Sequence, residues 1–381
     1  MGTPFRNHLR RVRTAQHLRQ ADLAALAGIS RQRMAGLEAG QGLPSLEVAL
    51  RLSRTLAVPI EQLFQAERTG ALPVTVAGVG ADVDPDQVPR RMALAEVERA
   101  WIAWPLSASE PAGQLGAADG LLQRRKMRGK HAEVEPLRDL GALRLNLVAL
   151  GCDPALAVLS SQLAEQANGP RLRWIDAPSE QALDALAAGT AHLAGCHLLD
   201  EESGEFNVHA VRARFPKTDM LVVSLAKWPV GLVVAPGNPK GLRGAGDLAR
   251  RGVSIINRPR GAEARRLLDR ELKKAGVKPA RVRGYARVAR SHQEVAQAVA
   301  LGGADAGVAP VATALAWGLS FIELSEERFD LVLPLARASD PKIDRLLEVL
   351  GSDRFERELQ ALPGYDPTCA GEVVAELRAQ P

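Results

Sequence analysis

One stretch near the amino terminus, residues 20–40, constrains the chain most, because its pattern fits two short helices joined by a tight turn. Gly28 breaks the first helix, and Ser30 can cap the helix that follows. The first helix carries an apolar stripe at helical spacing, which consists of Leu23, Leu26 and Ala27. We therefore predict a helix-turn-helix unit whose second helix begins at Arg31.

The first turn of that second helix contains Arg31, Gln32 and Arg33. An arginine guanidinium matches the O6 and N7 acceptors of guanine as a fork, and a glutamine amide matches N6 and N7 of adenine. A helix that exposes these side chains fits the major groove of DNA. The rest of the chain would then control when this helix binds.

The residues around this unit are strongly basic. Residues 1–33 contain seven arginines and one acidic residue, Asp22. Such a local excess of positive charge is the electrostatic signature of phosphate binding, although a solvated basic face is the alternative. We expect Arg10 and Arg11 to contact the DNA backbone.

Residues 5–64 resemble the Cro/XRE family of helix-turn-helix domains over nearly their whole length. The matching segments are LRRVR, LAALAGIS, MAGLEAG, PSLEVALRLSRTL and VPIEQLF. The resemblance implies that Gln20 binds a phosphate at the start of the second helix. It also implies that the third helix reads bases through Ser30, Arg31, Gln32 and Arg33. Apolar spacing predicts the first, amphipathic helix over residues 5–18, and we expect this DNA-binding domain to cover residues 1–66.

The length of 381 residues indicates two or three domains. No window holds 18 or more uninterrupted apolar residues, so we expect no membrane span. The first residues have no apolar core region, so we expect no secretory signal. The three cysteines are widely spaced and odd in number, which argues against a disulfide framework and favours the cytoplasm.

The stretch between the basic region and the second half of the chain is poor in helical patterns. Residues 66–90 are rich in Gly, Ala, Pro and Asp, which is typical of a linker. We predict a linker and a small β-rich element over residues 67–140. The β-rich element is either a separate connector or the first part of the next domain.

The second half alternates between apolar strands and helices. Strands are predicted at residues 145–151, 171–177 and 190–198, with helices between them. Such alternation predicts a parallel α/β sheet, and we expect one domain over residues 141–381. A further strand is predicted at residues 227–239, and a returning strand at residues 321–334.

This half resembles the type II periplasmic-binding-protein fold. More closely, it is similar to the cytoplasmic binding-protein-like domain that bacteria fuse to helix-turn-helix regulators and to molybdopterin-biosynthesis proteins. The segments that carry the resemblance are GCDPAL, AGCHLLDEESGEFN, GLVVAPGNPKGL, DLARRGVSIINRPRGAEARRLLD, SHQEVAQAVALGGADAGVAP and ERFDLVLP. The resemblance implies two lobes with a ligand cleft between them. It also implies a small oxyanion or small acid as ligand, with molybdate as the usual candidate.

Loops at the carboxyl ends of strands and at helix starts supply the polar groups of such a cleft. Three loops qualify, and their candidate ligand-binding residues are Cys152, Asp153, Asn257, Arg258, Arg260, Gly261, Ala262, Ser291, His292 and Asp305. Relatives usually continue the second loop as Gly-Ser-Gly-Thr-Arg, whose hydroxyls donate to an oxyanion. Here both hydroxyls are absent, and Glu263 occupies this loop instead, which weakens the case for molybdate.

Catalytic and cofactor patterns are weak. Cys152, Cys196, His197 and Cys369 lack metal-ligand spacing, and no nucleotide-binding glycine loop follows a strand. We expect no metal, no cofactor and no enzymatic activity. His197 is expected to be structural or cleft-lining, and Trp228 to lie in the core.

Taken together, these features predict a multidomain protein. It joins an all-α helix-turn-helix domain to an α/β two-lobed binding-protein-like domain through a small β-rich connector. We predict a ligand-responsive transcriptional regulator that binds operator DNA as a homodimer or a higher homo-oligomer. Two alternatives remain open: a constitutive DNA-binding protein whose second half only dimerises, and an enzyme of molybdopterin or small-acid metabolism.

Overall fold

The computed structural model describes residues 5–66, 70–80, 82–106, 116–166 and 169–380. The chain forms two compact units, the first of which comprises Met1–Leu72 with Glu135–Asp139. The second unit comprises Pro73–Val134 with Leu140–Pro381. Within the described ranges, no helix combines the length and the apolar character that crossing a membrane would require.

The first unit is a cluster of short helices with a two-stranded ribbon. Its elements in chain order are β1 (Phe5–Asn7), α1 (Leu9–Ala15), α2 (Gln20–Leu26), α3 (Arg31–Glu38), α4 (Leu46–Leu56), α5 (Ile60–Leu63) and β2 (Phe64–Ala66). The strands β1 and β2 pair antiparallel. Large apolar side chains from the helices fill a common core, namely Leu9, Leu23, Met34, Leu37, Leu52, Leu56 and Leu63.

The turn between α2 and α3 has the geometry that its residue types allow. Gly28 has a φ of +67°, a left-handed conformation that glycine adopts without a steric penalty. Ile29 packs against the core, and the Ser30 hydroxyl accepts a hydrogen bond from the Arg33 amide at 3.1 Å. These features confirm the predicted helix-turn-helix.

The predicted first helix over residues 5–18 is wrong at both ends, since α1 covers only Leu9–Ala15. Before it, residues 5–7 pair with β2, and the Asn7 side chain accepts a hydrogen bond from the Leu9 amide at 2.8 Å. After it, His17 adopts a left-handed φ of 57°, which ends the helix. Apolar spacing continues through both segments, so periodicity alone did not reveal these ends.

A closed barrel occupies the β-rich part of the second unit. Its strands are β3 (Leu72–Val76), β4 (Arg91–Val97), β5 (Ala100–Pro105), β6 (Gly120–Leu122) and β7 (His131–Pro136), in the order β3-β5-β4-β6-β7. Ile102 and Trp104 lie in one apolar cluster with residues of the α/β region. The Trp104 indole also donates a hydrogen bond to the Thr190 carbonyl at 2.9 Å. The barrel therefore packs directly on the α/β sheet.

The α/β region follows the barrel. Its elements are α6 (Leu140–Arg144), β8 (Asn146–Gly151), α7 (Ala155–Ala164), β9 (Arg171–Asp176), α8 (Ser179–Ala187), β10 (Leu193–Cys196), α9 (Val208–Arg214), β11 (Met220–Val234), α10 (Glu263–Lys274), α11 (His292–Ala300), β12 (Ala306–Pro310), α12 (Val311–Ala316), β13 (Ser320–Pro334), α13 (Pro341–Leu350), α14 (Asp353–Gln360) and β14 (Val373–Leu377). The sheet has the order β12-β11-β13-β10-β8-β9, and β14 pairs with β11.

The prediction of a parallel sheet is correct for only part of this sheet. β8 pairs parallel with β9 and β10, whereas β11, β12, β13 and β14 make antiparallel pairs. The cause is a pair of 15-residue strands, β11 and β13, which run antiparallel and carry the chain into the second lobe and back. Their register shifts between Ser224 and Ala226 and again between Val230 and Gly231.

A fully buried carboxylate connects the barrel to the sheet. Asp119 accepts hydrogen bonds from the Leu94 amide of β4 and from the Asn146 side chain at the start of β8, both at 3.1 Å. Arg171 and Arg173 of β9 approach the same carboxylate at 3.2 and 3.3 Å. One buried carboxylate thus contacts both the barrel and the α/β sheet.

Candidate functional site

The first turn of α3 presents polar side chains to solvent. Arg31, Gln32 and Arg33 are exposed, and Ser30 precedes them as the cap. The Arg33 guanidinium donates to the Leu43 carbonyl at 2.9 Å, so part of its hydrogen-bonding capacity is used inside the unit. Arg31 and Gln32 are therefore the best placed of the predicted base-reading residues.

The predicted phosphate-binding residues lie on the two preceding helices. Arg10 and Arg11 are exposed on α1, and Gln20 is the first residue of α2. The Gln20 side chain donates to Glu38 at 3.0 Å, and Glu38 also binds Arg13 through two contacts of 2.6 and 3.0 Å. Arg13 is therefore held within the unit, whereas Arg10 and Arg11 remain available for an external anion.

A cavity of about 630 Å³ lies in the α/β region of the second unit. One wall is formed where parallel strands end, because Asp176 ends β9, Cys152 follows β8 and His197 follows β10. Carboxyl ends of parallel strands meet at one edge of a sheet, and ligands of α/β proteins bind at such edges. The location agrees with the cleft that the sequence predicts.

The opposite wall and the floor come from other elements. Arg258 lies in the loop before α10, and Ser291 and His292 begin α11. Trp228 of β11 and Glu327 of β13 lie opposite each other on the two long strands and complete the floor. The cavity thus includes residues from the ends of the parallel strands, from the loop before α10, from the start of α11 and from the two long strands.

Half of the predicted ligand-binding residues line this cavity, namely Cys152, Asp153, Arg258, Ser291 and His292. The others are not among its lining residues: Asn257, Arg260, Gly261, Ala262 and Asp305. Of these, Asn257 donates to the Tyr285 carbonyl at 3.2 Å and supports the loop from behind. Asp305 accepts hydrogen bonds from the amide and the hydroxyl of Ser254, at 2.7 and 2.9 Å.

His197, which was expected to be structural or cleft-lining, does line the cavity. Other lining residues were not assigned to the site from the sequence, notably Trp174, Trp228, Glu327 and Tyr365. Trp228 lies in the core as expected, because only 3% of its surface is exposed, but it also borders the cavity. Trp228 and Glu327 reach the cavity because they pair with each other on β11 and β13, and no local sequence pattern predicts this pairing.

Several polar atoms of the cleft have no internal partner. Among the described side chains, Trp228 Nε1, Arg258 Nε and His292 Nδ1 are buried and make no hydrogen bond. Burial lowers the pKa of Arg258, and burial followed by the charge of Arg258 holds the pKa of His292 well below its ordinary value. Buried polar groups are usually satisfied, so these three atoms are the ones that a molecule in the cavity could bind.

Two carboxyl groups near the cavity, those of Asp153 and Glu263, have raised pKa values. Burial raises the pKa of Asp153 to about 6, although hydrogen bonds from the Ala155 amide and the Tyr365 hydroxyl oppose the rise. Burial likewise raises the pKa of Glu263 to about 7. The side chain of Glu263 is only 8% exposed and lies 3.0 Å from Arg266, so it does not face solvent.

The raised pKa of Asp153 predicts how the free energy of unfolding changes with pH. The folded chain retains a proton that the unfolded chain releases from pH 4 upward, so Asp153 lowers the free energy of unfolding as pH rises from about 4 to about 6. Asp153→Asn cannot ionise and should remove this slope. Relative to the original chain, the variant should gain about 2–3 kcal/mol between pH 4 and pH 7 in urea unfolding.

Asp344→Asn, which changes an exposed carboxylate on α13, is the matched control. Its free energy of unfolding should follow that of the original chain across the same pH range. An Asp153→Asn variant that shows the original pH dependence would contradict an ionisation of Asp153 near pH 6.

Comparisons with known proteins agree with both units. Residues 9–63 match the family described as helix-turn-helix, and residues 160–351, half of the chain, match the family described as PBP superfamily domain. An HTH-type transcriptional regulator of Methanocaldococcus jannaschii is 37% identical over 60 residues, which are 16% of this chain and 91% of that protein.

Two further similarities concern the second unit. The uncharacterised protein YvgK of Bacillus subtilis is 31% identical over 233 residues, which are 61% of this chain and 75% of YvgK. A putative phosphate ABC transporter substrate-binding protein from Clostridium perfringens, solved with bound phosphate, is 9% identical. That similarity covers 58% of this chain and 99% of the other, with a TM-score of 0.44. The chain therefore belongs to the PBP superfamily and carries a helix-turn-helix domain of the Cro/XRE type at its amino-terminal end.

Proposed function

We propose that this protein is a transcriptional regulator whose DNA binding responds to a small molecule in the cleft of its second unit. The observation that carries the proposal is the pairing, on one chain, of an exposed reading turn on α3 with a cavity of about 630 Å³ whose buried polar atoms lack partners. The first feature recognises a sequence of bases, and the second selects a ligand. A chain that has both can couple the two events.

DNA recognition would divide between two sets of side chains. Arg31 and Gln32 read base edges, with Ser30 and Arg33 at the flanks of the same turn. Arg10, Arg11 and Gln20 bind phosphates and set the orientation of the domain. We further propose a homodimer on a two-fold operator, with half-sites roughly 34 Å apart.

The cavity suits an organic anion better than a bare oxyanion. Its volume of about 630 Å³ falls within the usual range for drug-sized ligands. Trp174, Trp228 and Tyr365 offer aromatic surface, while Arg258 and Arg290 offer positive charge. Tetrahedral anions such as molybdate would leave most of the aromatic surface without contact.

Coupling requires that the ligand bind two conformations of the protein with different affinities. We propose that the chain bends at the register shifts on β11 and β13 when the ligand binds, because strand pairing is irregular there. A coupling free energy of about 1–3 kcal/mol would change operator occupancy roughly 5- to 150-fold.

We place the domain boundaries at residues 1–66, 67–140 and 141–381, and the barrel strands lie within the middle segment.

The test uses the full chain. An operator is first selected from random duplex DNA. A panel of compounds is then screened for those that stabilise the protein against heating. Affinity for the operator is measured without a compound and with each stabilising compound. The panel contains molybdate, phosphate, sulfate, and aromatic and aliphatic carboxylates. The proposal predicts that one carboxylate both stabilises the protein and changes its DNA affinity at least fivefold. Stabilisation by molybdate alone would overturn the organic-anion assignment, and unchanged DNA affinity with every stabilising ligand would overturn sensing.

Arg258 and Arg260 form a matched pair for the ligand site. Arg258 lines the cavity, whereas Arg260 is exposed and does not. Arg258→Gln should weaken binding of the stabilising carboxylate by about 1.5–3 kcal/mol, because it removes a charged hydrogen-bond donor. Arg260→Gln should leave that affinity unchanged in isothermal calorimetry. Equal losses in both variants would show that Arg258 acts only through the net charge.

A further inference from the structure

Cys152, His197 and Glu327 form a continuous chain of contacts at the base of the cleft. The Cys152 Sγ lies 3.2 Å from His197 Nε2, and His197 Nδ1 lies 2.8 Å from Glu327 Oε2. The side chains of His197 and Glu327 are each only 8% exposed, so their mutual orientation is fixed. A nucleophile, a base and a group that orients the base occur here in sequence, as in activated thiol and hydroxyl sites.

Strand pairing in the sheet brings the three residues together. Cys152 and His197 directly follow the parallel neighbours β8 and β10, and Glu327 lies on β13, which pairs with β10. Gly195 has room only for hydrogen, because a Cβ there would lie 2.3 Å from the Phe329 ring. The close approach of these strands therefore depends on a glycine next to the triad.

The sulfur of this triad borders the cavity. Cys152 is half-buried and lines the 630 Å³ space, as do the other two members. Trp228 lines the same space, and its Nε1 makes no hydrogen bond although only 3% of the residue is exposed. The cavity therefore has room and unused polar groups for a molecule that lies against the sulfur.

The charges around His197 favour its protonated form. Burial lowers the pKa of His197, but the charges of Cys152 and Glu327 outweigh burial and bring that pKa well above its ordinary value. An imidazolium beside a thiol favours the thiolate, which is the nucleophilic form. Further ionisable groups interact electrostatically with Cys152, His197 or Glu327, namely Asp153, Cys196, Arg258, Glu263, His292 and Tyr365.

We propose that Cys152 is a nucleophile that adds reversibly to the carbonyl carbon of an aldehyde-bearing ligand in the cleft. The sulfur forms a C–S bond, the C=O π bond opens onto oxygen, and His197 Nε2 gives its proton to that oxygen. The products are a thiohemiacetal and a neutral imidazole, with no oxidant or leaving group. Glu327 is a positioning residue that holds the imidazole. The inference rests on the proposed function only in treating the cavity as the ligand site.

A carbonyl compound fits the surroundings better than a peroxide. The proton donor is 3.2 Å from the attacking sulfur, within reach of an oxygen on the neighbouring atom of the adduct. The cavity is far larger than a peroxide and is bordered by Trp174, Trp228 and Tyr365, which a small oxidant would leave without contact. An organic aldehyde uses both features.

The first measurement is the rate at which iodoacetamide alkylates each cysteine of the full chain between pH 5 and pH 9. Peptide mass spectrometry separates Cys152 from the internal control Cys369, which is also half-buried but has Ser224 Oγ as its neighbour at 3.1 Å. We expect iodoacetamide to alkylate Cys152 at least tenfold faster than Cys369 at pH 6, because an imidazole lies beside the Cys152 sulfur. Equal rates at the two sulfurs across the pH range would overturn the proposal.

Variants then test the roles of the two partners. His197→Asn should lower the alkylation rate of Cys152 at pH 6 toward that of Cys369. Glu327→Gln should lower the rate in the same direction, and Glu327→Asp should restore part of it. A folded Glu327→Gln variant that keeps the original rate would contradict the positioning role. The rates of the two cysteines in the original chain decide the central proposal even where a variant does not fold.

Protection experiments test the carbonyl chemistry. Propanal and 4-formylbenzoate should slow alkylation of Cys152 reversibly, whereas 1-propanol and 4-(hydroxymethyl)benzoate should not. Equal protection by aldehydes and alcohols, or none by either aldehyde, would overturn carbonyl addition. DNA affinity is measured before and after alkylation. If Cys152 reacts fast but its alkylation leaves DNA affinity unchanged, the result counts against ligand sensing and supports the nucleophile. If Cys152 reacts slowly but its alkylation changes DNA affinity, the nucleophile is wrong and ligand sensing is supported.

Discussion

Asp119→Ala is expected to lower the free energy of unfolding of the second unit by about 3–5 kcal/mol. The carboxylate is fully buried and is approached by Arg171 at 3.2 Å and Arg173 at 3.3 Å. Removal of one partner of a buried ion pair leaves an uncompensated charge, which costs more than the pair itself contributes. Here the guanidinium of Arg173, whose side chain is 9% exposed, would lose this carboxylate and keep its hydrogen bond to the Ala117 carbonyl at 3.0 Å.

The same substitution also removes hydrogen bonds that join two layers. The Leu94 amide and the Asn146 side chain both donate to Asp119 Oδ2 at 3.1 Å, and neither is accessible to water. Asp119→Asn keeps an acceptor but removes the charge, so its loss should lie between zero and the loss of the alanine variant.

Urea unfolding of the full chain, followed by a probe of the second unit such as tryptophan fluorescence, measures these changes. The matched control is Asp86→Ala, because Asp86 is exposed and lies 3.9 Å from Arg124. Exposed pairs contribute about 0–1 kcal/mol, so this control should change little. A loss at Asp119 no larger than that at Asp86 would show that the buried network is not a source of stability.

Local patterns in the sequence were sufficient for much of the fold. The turn at Gly28 and the cap at Ser30 are where the residue types predict them. Strand β8 was predicted at residues 145–151 and covers Asn146–Gly151, and β9 was predicted at residues 171–177 and covers Arg171–Asp176. In these elements apolar periodicity and breakers act over a few residues, so the information is local.

Pairing between distant strands was not predictable in the same way. The strand predicted at residues 227–239 is the second half of β11, which begins at Met220. Pro229 suggests an interruption there, since proline cannot donate to a ladder, yet it pairs with Glu326 next to a register shift. The partner strand is almost a hundred residues away, and no local signal specifies its direction.

The residues of the site likewise fall into those that local patterns predicted and those that long-range strand pairing brings in. Loops after strands and at helix starts identified Cys152, Asp153, Arg258, Ser291 and His292 as a group that meets at one cavity. The partners that define their chemistry come from the crossing strands. His197 and Glu327 are 130 residues apart and meet only because β10 pairs with β13. The sequence therefore indicated where the cavity lies, but it did not indicate which side chains contact the Cys152 sulfur.

Arg31→Ala and Gln32→Ala are each expected to weaken operator binding by about 1–3 kcal/mol and to relax base preference at one position of the half-site. Both side chains are exposed in the first turn of α3. The Ser30 cap fixes that turn, since its hydroxyl accepts from the Arg33 amide at 3.1 Å. Neither substitution removes a buried contact, so the fold of the first unit should persist, which circular dichroism would verify.

Arg10→Ala and Arg11→Ala provide the contrasting control. These exposed arginines lie on α1, so their loss should weaken binding to all sequences by a similar factor. Each should also reduce the slope of the logarithm of affinity against the logarithm of salt concentration by about one unit. Base-reading variants should leave that slope nearly unchanged.

Binding of the selected operator and of a scrambled duplex is measured by fluorescence anisotropy from 50 to 300 mM salt. Base reading by α3 predicts that Arg31→Ala and Gln32→Ala lower the ratio of specific to non-specific affinity, whereas Arg10→Ala and Arg11→Ala leave the ratio intact. The opposite assignment, with α3 on the phosphates, predicts the reverse in both the ratio and the salt slope. Because the two quantities change independently, a weaker affinity alone cannot be mistaken for a change in base reading. If neither ratio nor slope changes in any of the four variants, the interface lies elsewhere on the chain and the proposed role of α3 is wrong.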